Sequence, residues 1–276
     1  MTVAVLGPGA IGGSLAVRLA LAGEHVLCVA RPETAAAIRD EGITLVEDGR
    51  ELRARPGAVE TLSEPVQLLL VTVKAPHLED ALERVQAEPR TVLPLLNGLE
   101  HMAVLRARFA SVTAATIGRL EAFREGQTHI VQRHPARITV AGDAPPPELA
   151  RAGLEVRAVG SEADVLWEKL ARQAPIAALT AVTGGNVGEV RADPRLRTAT
   201  EEACAVAVAD GARTTLAEQW SIIETLPPEL TTSTARDVAA GRPSEMDAIV
   251  GAVTRAGRRL GVPTPTLDQL LAECPA

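Results

Sequence analysis

The fold is decided by residues 2–31, which read TVAVLGPGAIGGSLAVRLALAGEHVLCVAR. Val3–Leu6 and His25–Ala30 are short apolar runs, and Ile11–Leu21 between them carries the apolar spacing of a helix. A strand, a glycine-rich turn, a helix and a second strand in this order are typical of a parallel sheet with helical crossovers. We therefore expect the chain to begin its fold with a strand–helix–strand unit.

The turn between the first strand and the helix has the pattern G-x-G-x-x-G. In this pattern Gly7 permits a tight turn, Gly9 lets a pyrophosphate approach the backbone, and Gly12 lets the helix lie close to the strand. The free N–H groups at the helix N-terminus attract phosphate. We therefore predict a dinucleotide at this loop, with Ala10 and Ile11 among its contacts. A glycine-rich turn without a ligand is the alternative.

Arg31, at the end of the second strand, indicates which dinucleotide binds. Enzymes that use NAD usually carry Asp or Glu at this point to bind the ribose 2′-hydroxyl, whereas an arginine accommodates a 2′-phosphate. Glu24 precedes the strand and Glu33 follows Pro32, so neither occupies this position. The sequence predicts NADPH/NADP⁺ as cofactor, with a solvated surface charge at Arg31 as the alternative.

Alternation of strands and helices continues beyond this unit. Asp48-Gly49, flanked by Ile43–Val46 and Glu51–Arg53, predicts a hairpin. The run Gln67–Val73 is nearly all Val and Leu, as in a parallel strand buried on both faces. Short strand-like segments over 114–159 are expected to add antiparallel members to the sheet. From about residue 163 the patterning is helical, including a long helix over Ser244–Leu260.

These patterns predict an α/β protein with an N-terminal Rossmann-type doubly wound sheet and a C-terminal all-helical domain. We assign residues 1–162 to an NADP-binding domain and residues 163–276 to a helical substrate and catalytic domain. The chain of 276 residues is long enough for two domains of this size.

Composition excludes several classes of function. A net charge of −7 and an aromatic content of 1% argue against nucleic-acid binding, which needs basic surface and stacking platforms. The three cysteines form no C-x-x-C, and the histidines form no H-E-x-x-H, so we expect no metal site. The apolar run Val66–Val73 is far too short to span a membrane. We expect a cytoplasmic protein with no nucleic-acid or membrane partner.

Two groups of residues are candidates for a role in chemistry or substrate binding. Lys74 and Asn97 each follow a predicted strand, where doubly wound sheets bind ligands, although either could have a plain loop role. Lys169, Gln173 and Ala177 are spaced four apart, so they share one helix face. Taken alone, Lys169 is more typical of a solvated lysine.

Glu245 lies in the segment that opens the last long predicted helix. Its neighbours Ser244 and Asp247 resemble a capping box, in which case Glu245 would only favour the helix dipole. This structural interpretation competes with a catalytic one.

Together these segments resemble the ketopantoate reductase (2-dehydropantoate 2-reductase) family over nearly the whole chain. The resemblance is carried by GPGAIGG with Arg31, VTVKA around Lys74, the dipeptide Asn97-Gly98, WEKL containing Lys169, the LTAVTG that follows, RPSEMD containing Glu245, and GVPTP. It implies hydride transfer from NADPH to the ketone of a 2-oxo acid, with ketopantoate as substrate.

The resemblance also implies residue roles. The lysine that matches Lys169 acts as general acid, and the glutamate that matches Glu245 binds the substrate hydroxyl and helps to set the lysine. The serine that matches Ser233 binds the substrate carboxylate. Residues matching Lys74 and Asn97 lie at the nicotinamide end of the cofactor, near the substrate.

This chain departs from the family at positions that face the substrate. Family members commonly carry asparagines where this chain has Gln173 and Ala177, with Pro175 between them, and a glutamine where it has His77. Loss of a hydrogen bond to a substrate hydroxyl shifts specificity strongly. A different keto acid is therefore one alternative, and a non-catalytic NADPH-binding protein is another. The expected partners are a small-molecule 2-oxo acid and a second copy of the chain in a homodimer.

Overall fold

The computed structural model describes residues 2–118 and 122–274. By their internal contacts the residues divide into two compact units. The first comprises Met1–Leu96 and His101–Glu162, and the second comprises Asn97–Glu100 and Ala163–Ala276. The tetrapeptide Asn97–Glu100 thus belongs with the second unit although its chain neighbours belong to the first. The functional roles assigned to residues 1–162 and 163–276 stay a prediction.

The first unit contains strands arranged in three sheets and several short helices. Its strands are β1 (Thr2–Leu6), β2 (His25–Val29), β3 (Ile43–Glu47), β4 (Arg50–Ala54), β5 (Gly57–Val59), β6 (Leu68–Val71), β7 (Thr91–Pro94), β8 (Ala115–Gly118), β9 (Ala122–Glu125), β10 (His129–Gln132), β11 (Arg137–Ala141) and β12 (Glu155–Val159). Its helices are α1 (Ala10–Leu21), α2 (Pro32–Glu41), α3 (Leu78–Leu82), α4 (His101–Arg108) and α5 (Pro147–Arg151), with a 3-10 turn at Ala75–His77.

A five-stranded parallel sheet in the order β5-β2-β1-β6-β7 forms the centre of this unit. Its central strands are buried on both faces: Val3 and Val5 belong to one apolar cluster, and Ala4 and Leu6 belong to another. This is why these strands are continuous apolar runs without alternation. The predicted Rossmann-type doubly wound sheet is confirmed.

The antiparallel strands do not join that sheet, so this expectation was wrong. The predicted hairpin around Asp48-Gly49 forms, with positive φ at both turn residues, and β10 adds to it in parallel. The resulting sheet has the order β4-β3-β10-β9, and a third sheet has the order β12-β11-β8. Pairing between β3 and β10, which lie far apart in the chain, leaves no signal in local patterning.

The second unit is helical in its described residues, apart from connecting loops. Its helices are α6 (Glu162–Thr183, with its first residue in the other unit), α7 (Val187–Arg191), α8 (Pro194–Ala209), α9 (Leu216–Thr225), α10 (Ser233–Ala239), α11 (Ala252–Leu260) and α12 (Pro265–Glu273). A π-helical turn, Asp247–Gly251, leads directly into α11. The predicted all-helical C-terminal domain is confirmed.

The core of this unit is built mainly from small and aliphatic side chains around α6, together with Trp167. Trp167, Leu170 and Ala174 are 0–2% exposed in this core. Pro175 lies inside α6, and the helix continues past it to Thr183. In the described parts of the chain, no helix is both long and apolar enough to cross a membrane.

Candidate active site

The glycine loop has the geometry that its sequence pattern predicts. Gly7 follows β1 with φ +83°, in the left-handed region that favours glycine. A Cβ at Gly12 would lie 2.6 Å from the carbonyl oxygen of Gly7, whereas the nearest atom to a Cβ at Gly9 would be 3.9 Å away. Gly12 is therefore required by close approach within the fold. Gly9 has open space beside it and no fold constraint of this kind.

Helix α1 begins directly after Gly9, its N-cap residue, without a side chain that caps its first N–H groups. Such a helix N-terminus offers N–H donors and a positive dipole end to an anion. These features suit a pyrophosphate.

Thr72, which sequence reasoning did not single out, fixes this loop. Its hydroxyl group lies 2.8 Å from the carbonyl oxygen of Gly7 and 3.0 Å from that of Leu6, and it donates to these acceptors. The sequence signal for this role was a hydroxyl-bearing residue directly after the buried strand β6. Because neighbouring parallel strands end at the same edge of a sheet, this residue lies beside the loop that follows β1.

Arg31 lies shortly after the end of β2, and Lys74 lies shortly after the end of β6. Arg31 is exposed and is the N-cap residue of α2, and among the described residues no hydrogen bond or ion pair holds its guanidinium. Lys74 is exposed and precedes the 3-10 turn. Both side chains are accessible to a ligand.

A hydrogen-bonded cluster of polar side chains lies in the helical unit, centred on Asn97. The Lys169 ammonium donates to Asn97 Oδ1 at 2.8 Å, and the Gln173 amide donates to the same oxygen at 3.1 Å. Asn97 Nδ2 donates in turn to Glu245 Oε2 at 3.0 Å. Four candidates chosen from three separate segments of sequence are thus brought together.

Burial and charge set the pKa of Lys169. The side chain is partly buried, and its pKa is lowered to about 8, with loss of hydration as the largest cause. The Glu245 carboxylate acts in the opposite direction and raises this pKa, whereas the nearby Arg172 cation lowers it further. A lysine with a pKa near neutrality can both hold and release a proton under ordinary conditions.

Arg172, another residue that sequence reasoning did not single out, is fixed one turn beyond Lys169. Its guanidinium donates to Gln219 Oε1 at 3.1 Å and to the backbone carbonyl of Glu168. A second cation three residues from the candidate lysine on the same helix was the signal available in the sequence.

The remaining candidates lie outside the cluster. Ala177 is 1% exposed and packs in the apolar core of the helical unit. Ser233 is exposed as the first residue of α10, and the side chain of Thr232, not of Ser233, caps that helix. Within residues 2–118 and 122–274, the Ser233 side chain has no hydrogen-bond partner.

The predicted capping box at Ser244 does not form. Ser244 Oγ accepts from the Met246 N–H at 3.4 Å, and the Asp247 carboxylate accepts from Arg255 instead. Glu245, which is 8% exposed, precedes the π-helical turn and directs its carboxylate to Asn97. Its competing interpretation as a residue that only favours a helix dipole therefore loses its structural basis.

Comparisons with known proteins identify the family of this chain. The model of the family described as ketopantoate reductase PanE/ApbA matches residues 3–145, and the model of its C-terminal domain matches residues 163–274. A 2-dehydropantoate 2-reductase from Mycobacterium tuberculosis is 30% identical to this chain, and the alignment covers 98% of the chain and 95% of that relative.

Solved structures agree at the level of the fold. A PanE/ApbA family ketopantoate reductase from Ralstonia eutropha superposes with a TM-score of 0.85 at 28% identity, covering 99% of this chain and 96% of that one. A D-mandelate dehydrogenase in complex with NADH and anilino(oxo)acetate superposes with a TM-score of 0.87 at 22% identity, covering 99% and 97%. From the family models and the full-length relative together, it follows that this chain belongs to the ketopantoate reductase family of oxidoreductases.

Proposed function

We propose that this protein reduces the ketone of a 2-oxo acid with NADPH, and that the substrate is 2-dehydropantoate (ketopantoate), which becomes pantoate. The observation that carries this proposal is the bonded set Lys169–Asn97–Glu245 with a lysine pKa of about 8. A protein that only bound a dinucleotide would have no need of a partly buried lysine held in this way. This argues against a non-catalytic role.

The glycine loop supports a nicotinamide dinucleotide as cofactor. The open space at Gly9 and the uncapped N-terminus of α1 fit a pyrophosphate, to which Gly7, Ala10, Ile11 and Gly12 contribute the remaining backbone. Arg31, exposed and unpaired within the described chain, fits a 2′-phosphate, which favours NADPH over NADH. We assign Lys74 and Asn97 to its nicotinamide end. When bound, the cofactor supplies the hydride that reduces the ketone carbon.

Lys169 supplies the proton in this proposal. As the ketone carbon is reduced, its oxygen gains negative charge, and the Lys169 ammonium both stabilises that charge and donates a proton to the oxygen. Asn97 Oδ1 accepts from the ammonium and so fixes the direction of the donor, and Glu245 holds Asn97 through the amide. The neutral lysine then recovers a proton from solvent.

We assign substrate recognition to Ser233 on α10 and to Gln173 on α6, with Ala177 one turn after Gln173 on the same face of α6. We propose that Ser233 binds the carboxylate of the acid, since its exposed hydroxyl has no partner among the described residues. The amide of Gln173 is already engaged with Asn97. Ala177, which lies buried in the apolar core, stands where family members commonly carry an asparagine. The loss of that hydrogen-bonding group favours, as a second candidate, a keto acid that lacks the hydroxyl of ketopantoate.

Steady-state reduction of a panel containing ketopantoate, 2-oxoisovalerate, pyruvate and benzoylformate tests both candidates, with NADPH oxidation as the signal. We expect ketopantoate to give the highest kcat/KM and Lys169→Met to abolish turnover while NADPH binding is retained. Arg90→Met serves as a matched control, because it removes an exposed cation outside the cluster. A higher kcat/KM for another acid would establish the second candidate, and turnover that survives in Lys169→Met would refute the general-acid role.

Arg31 allows the cofactor preference to be tested separately. Loss of a charge-assisted hydrogen bond of about 1.5–3 kcal/mol should raise the Kd of Arg31→Ala for NADPH by roughly 10- to 100-fold. Its Kd for NADH should be unchanged. Arg50→Ala, which removes another exposed arginine, should alter neither value. Equal losses for both dinucleotides would contradict recognition of the 2′-phosphate.

A further inference from the structure

We propose that Arg255 is a positioning residue for the reaction. It binds Glu100 and Asp247 at the same time and thereby keeps Asn97 in position to bond with Lys169 and Glu245. This inference rests on the proposed function of the Lys169 cluster and deepens it. Arg255 lies outside that cluster, on the helix α11, and nothing in local sequence links it to the chemistry.

Asn97 is the point at which the cluster depends on backbone placement. Its amide oxygen accepts two hydrogen bonds, from Lys169 and Gln173, and its amide nitrogen donates to Glu245. These partners lie on α6 and just before the π-helical turn, whereas Asn97 lies on the isolated tetrapeptide Asn97–Glu100. A shift of that tetrapeptide would therefore break all three bonds together.

The tetrapeptide lies directly against the π-helical turn. Gly98 has φ +88°, and a Cβ there would lie 3.0 Å from the carbonyl carbon of Ala248 and still closer to its oxygen. Leu99 packs against the apolar core of the helical unit. Gly98 therefore permits the close approach to Ala248, but a glycine has no side chain that could fix the tetrapeptide there.

Arg255 provides the hold at the end of the tetrapeptide. Its Nε and Nη2 donate to the two carboxylate oxygens of Glu100 at 2.7 and 2.8 Å, which is a bidentate pair. Its Nη1 donates to Asp247 Oδ1 at 2.7 Å, and its Nη2 also lies 3.1 Å from the Asp247 carbonyl oxygen. One guanidinium thus joins a residue three positions after Asn97 to a residue two positions after Glu245.

Local backbone structure is adapted to this grip. A Cβ at Gly251 would lie 2.5 Å from Asp247 Oδ1 and 2.8 Å from Arg255 Nη1, so a larger residue here would displace the two side chains of the ion pair. The turn Asp247–Gly251 is π-helical, and such turns occur frequently at functional sites. Its extra residue is consistent with a requirement for Asp247 and Arg255 to meet.

The exposure of these side chains indicates that the ion pairs of Arg255 position Asn97 more than they stabilise the fold. The Arg255 side chain is 38% exposed, that of Glu100 53%, and that of Asp247 80%. Ion pairs exposed to this degree are screened and contribute little to folding. Orientation of a catalytic group is more sensitive, because a displacement of about 1 Å can reduce a rate about 100-fold.

The test is a double-mutant cycle on kcat with Arg255→Gln, Asn97→Ala and the combination. We expect Arg255→Gln alone to lower kcat about 10- to 100-fold with a small change in KM. In the Asn97→Ala background it should have no further effect, because its action passes through Asn97. Arg258→Gln is the control, since Arg258 lies on the same helix and is paired with Asp268 outside the cluster. It should leave kcat unchanged.

A second measurement is independent of turnover. Hydrogen exchange of the Asn97 side-chain amide, followed by ¹⁵N NMR and assigned from its loss in Asn97→Ala, should accelerate about 10-fold in Arg255→Gln and stay unchanged in Arg258→Gln. Glu100→Gln should reproduce part of this acceleration. Unchanged exchange in Arg255→Gln, or effects on kcat that multiply in the double variant, would overturn the proposal. If the wild-type protein reduces no 2-oxo acid, the proposed function fails, whereas the exchange measurement still decides the role of Arg255.

Discussion

At the scale of the single residue, the property of Lys169 that matters most is its pKa of about 8. A general acid must be protonated to act, so reduction should be fastest below this pKa and decline as pH rises through it. We therefore expect the pH profile of kcat/KM to show a descending limb with an apparent pKa near 8. Stopped-flow or steady-state assays between pH 6 and pH 10 would measure it.

The neighbours of Lys169 should shift this limb in opposite directions. Glu245 raises the lysine pKa, so Glu245→Gln should move the limb to lower pH. Arg172 lowers the lysine pKa, so Arg172→Met should move the limb to higher pH. A limb that stays in place in both variants would show that another group titrates.

Sequence predicts the identity of these residues better than their connections. The four-residue spacing of Lys169 and Gln173 already puts them on one helix face, and both do bond to the same atom of Asn97. The role of Asn97 as the centre could not be predicted, because it lies 72 positions before Lys169 and 148 before Glu245. Only the tertiary fold brings such positions together.

At the scale of the element, the loop and helix that open the fold place two different demands on glycine. A methyl group at Gly12 would collide with the Gly7 carbonyl and with Thr72, so Gly12→Ala should destabilise the first unit by about 1–3 kcal/mol. A methyl group at Gly9 meets open space at φ −75°, so Gly9→Ala should leave stability unchanged. It should nevertheless weaken NADPH binding, because the methyl group would occupy the path of the pyrophosphate.

Thermal unfolding and NADPH titration of the two variants would separate these roles. The expected pattern is a lowered Tm for Gly12→Ala and a raised Kd with normal Tm for Gly9→Ala. Normal NADPH affinity in Gly9→Ala would contradict pyrophosphate binding at this turn. Gly49→Ala is a less suitable control, since Gly49 has φ +74°, which strains any other residue.

Elements with a strong local signal are predicted from sequence, and those defined by distant partners are not. Strand β6 is recognisable from its buried apolar run, and the hairpin of β3 and β4 from Asp48-Gly49. The pairing of β10 with β3 was missed because the two strands are some eighty residues apart. Likewise the capping box predicted at Ser244 does not form, because the Asp247 carboxylate accepts a hydrogen bond from Arg255, eight positions further along the chain.

At the scale of the whole molecule, the chain consists of two units with separate apolar cores, so unfolding is expected in more than one transition. In the first unit, His101 is 5% exposed, and neither ring nitrogen has a hydrogen-bond partner among the described residues. Burial lowers its pKa to about 4, from 6.5 in an exposed histidine. The imidazole is therefore neutral in the folded protein at all but strongly acidic pH.

This pKa makes the stability of the first unit depend on pH. As pH falls below 6.5, His101 takes up a proton in the unfolded chain, whereas in the folded chain it does so only near pH 4. The free energy of unfolding is therefore highest above pH 6.5 and decreases as pH falls towards 4. The loss amounts to about 2 kcal/mol at pH 5. Urea unfolding at pH 7.5 and pH 5 should show it in the wild-type protein.

Removing the imidazole should remove this dependence, because a side chain that cannot bind a proton has no preference between the two states. His101→Leu, which places an apolar group of comparable size in an apolar site and removes two unpaired nitrogens, should unfold at more similar urea concentrations at the two pH values. His134→Leu should retain the wild-type dependence, since His134 is exposed. An unaltered pH dependence in His101→Leu would mean that other groups, such as the buried carboxyl of Glu24 with its Arg151 partner, govern the acid sensitivity of this unit.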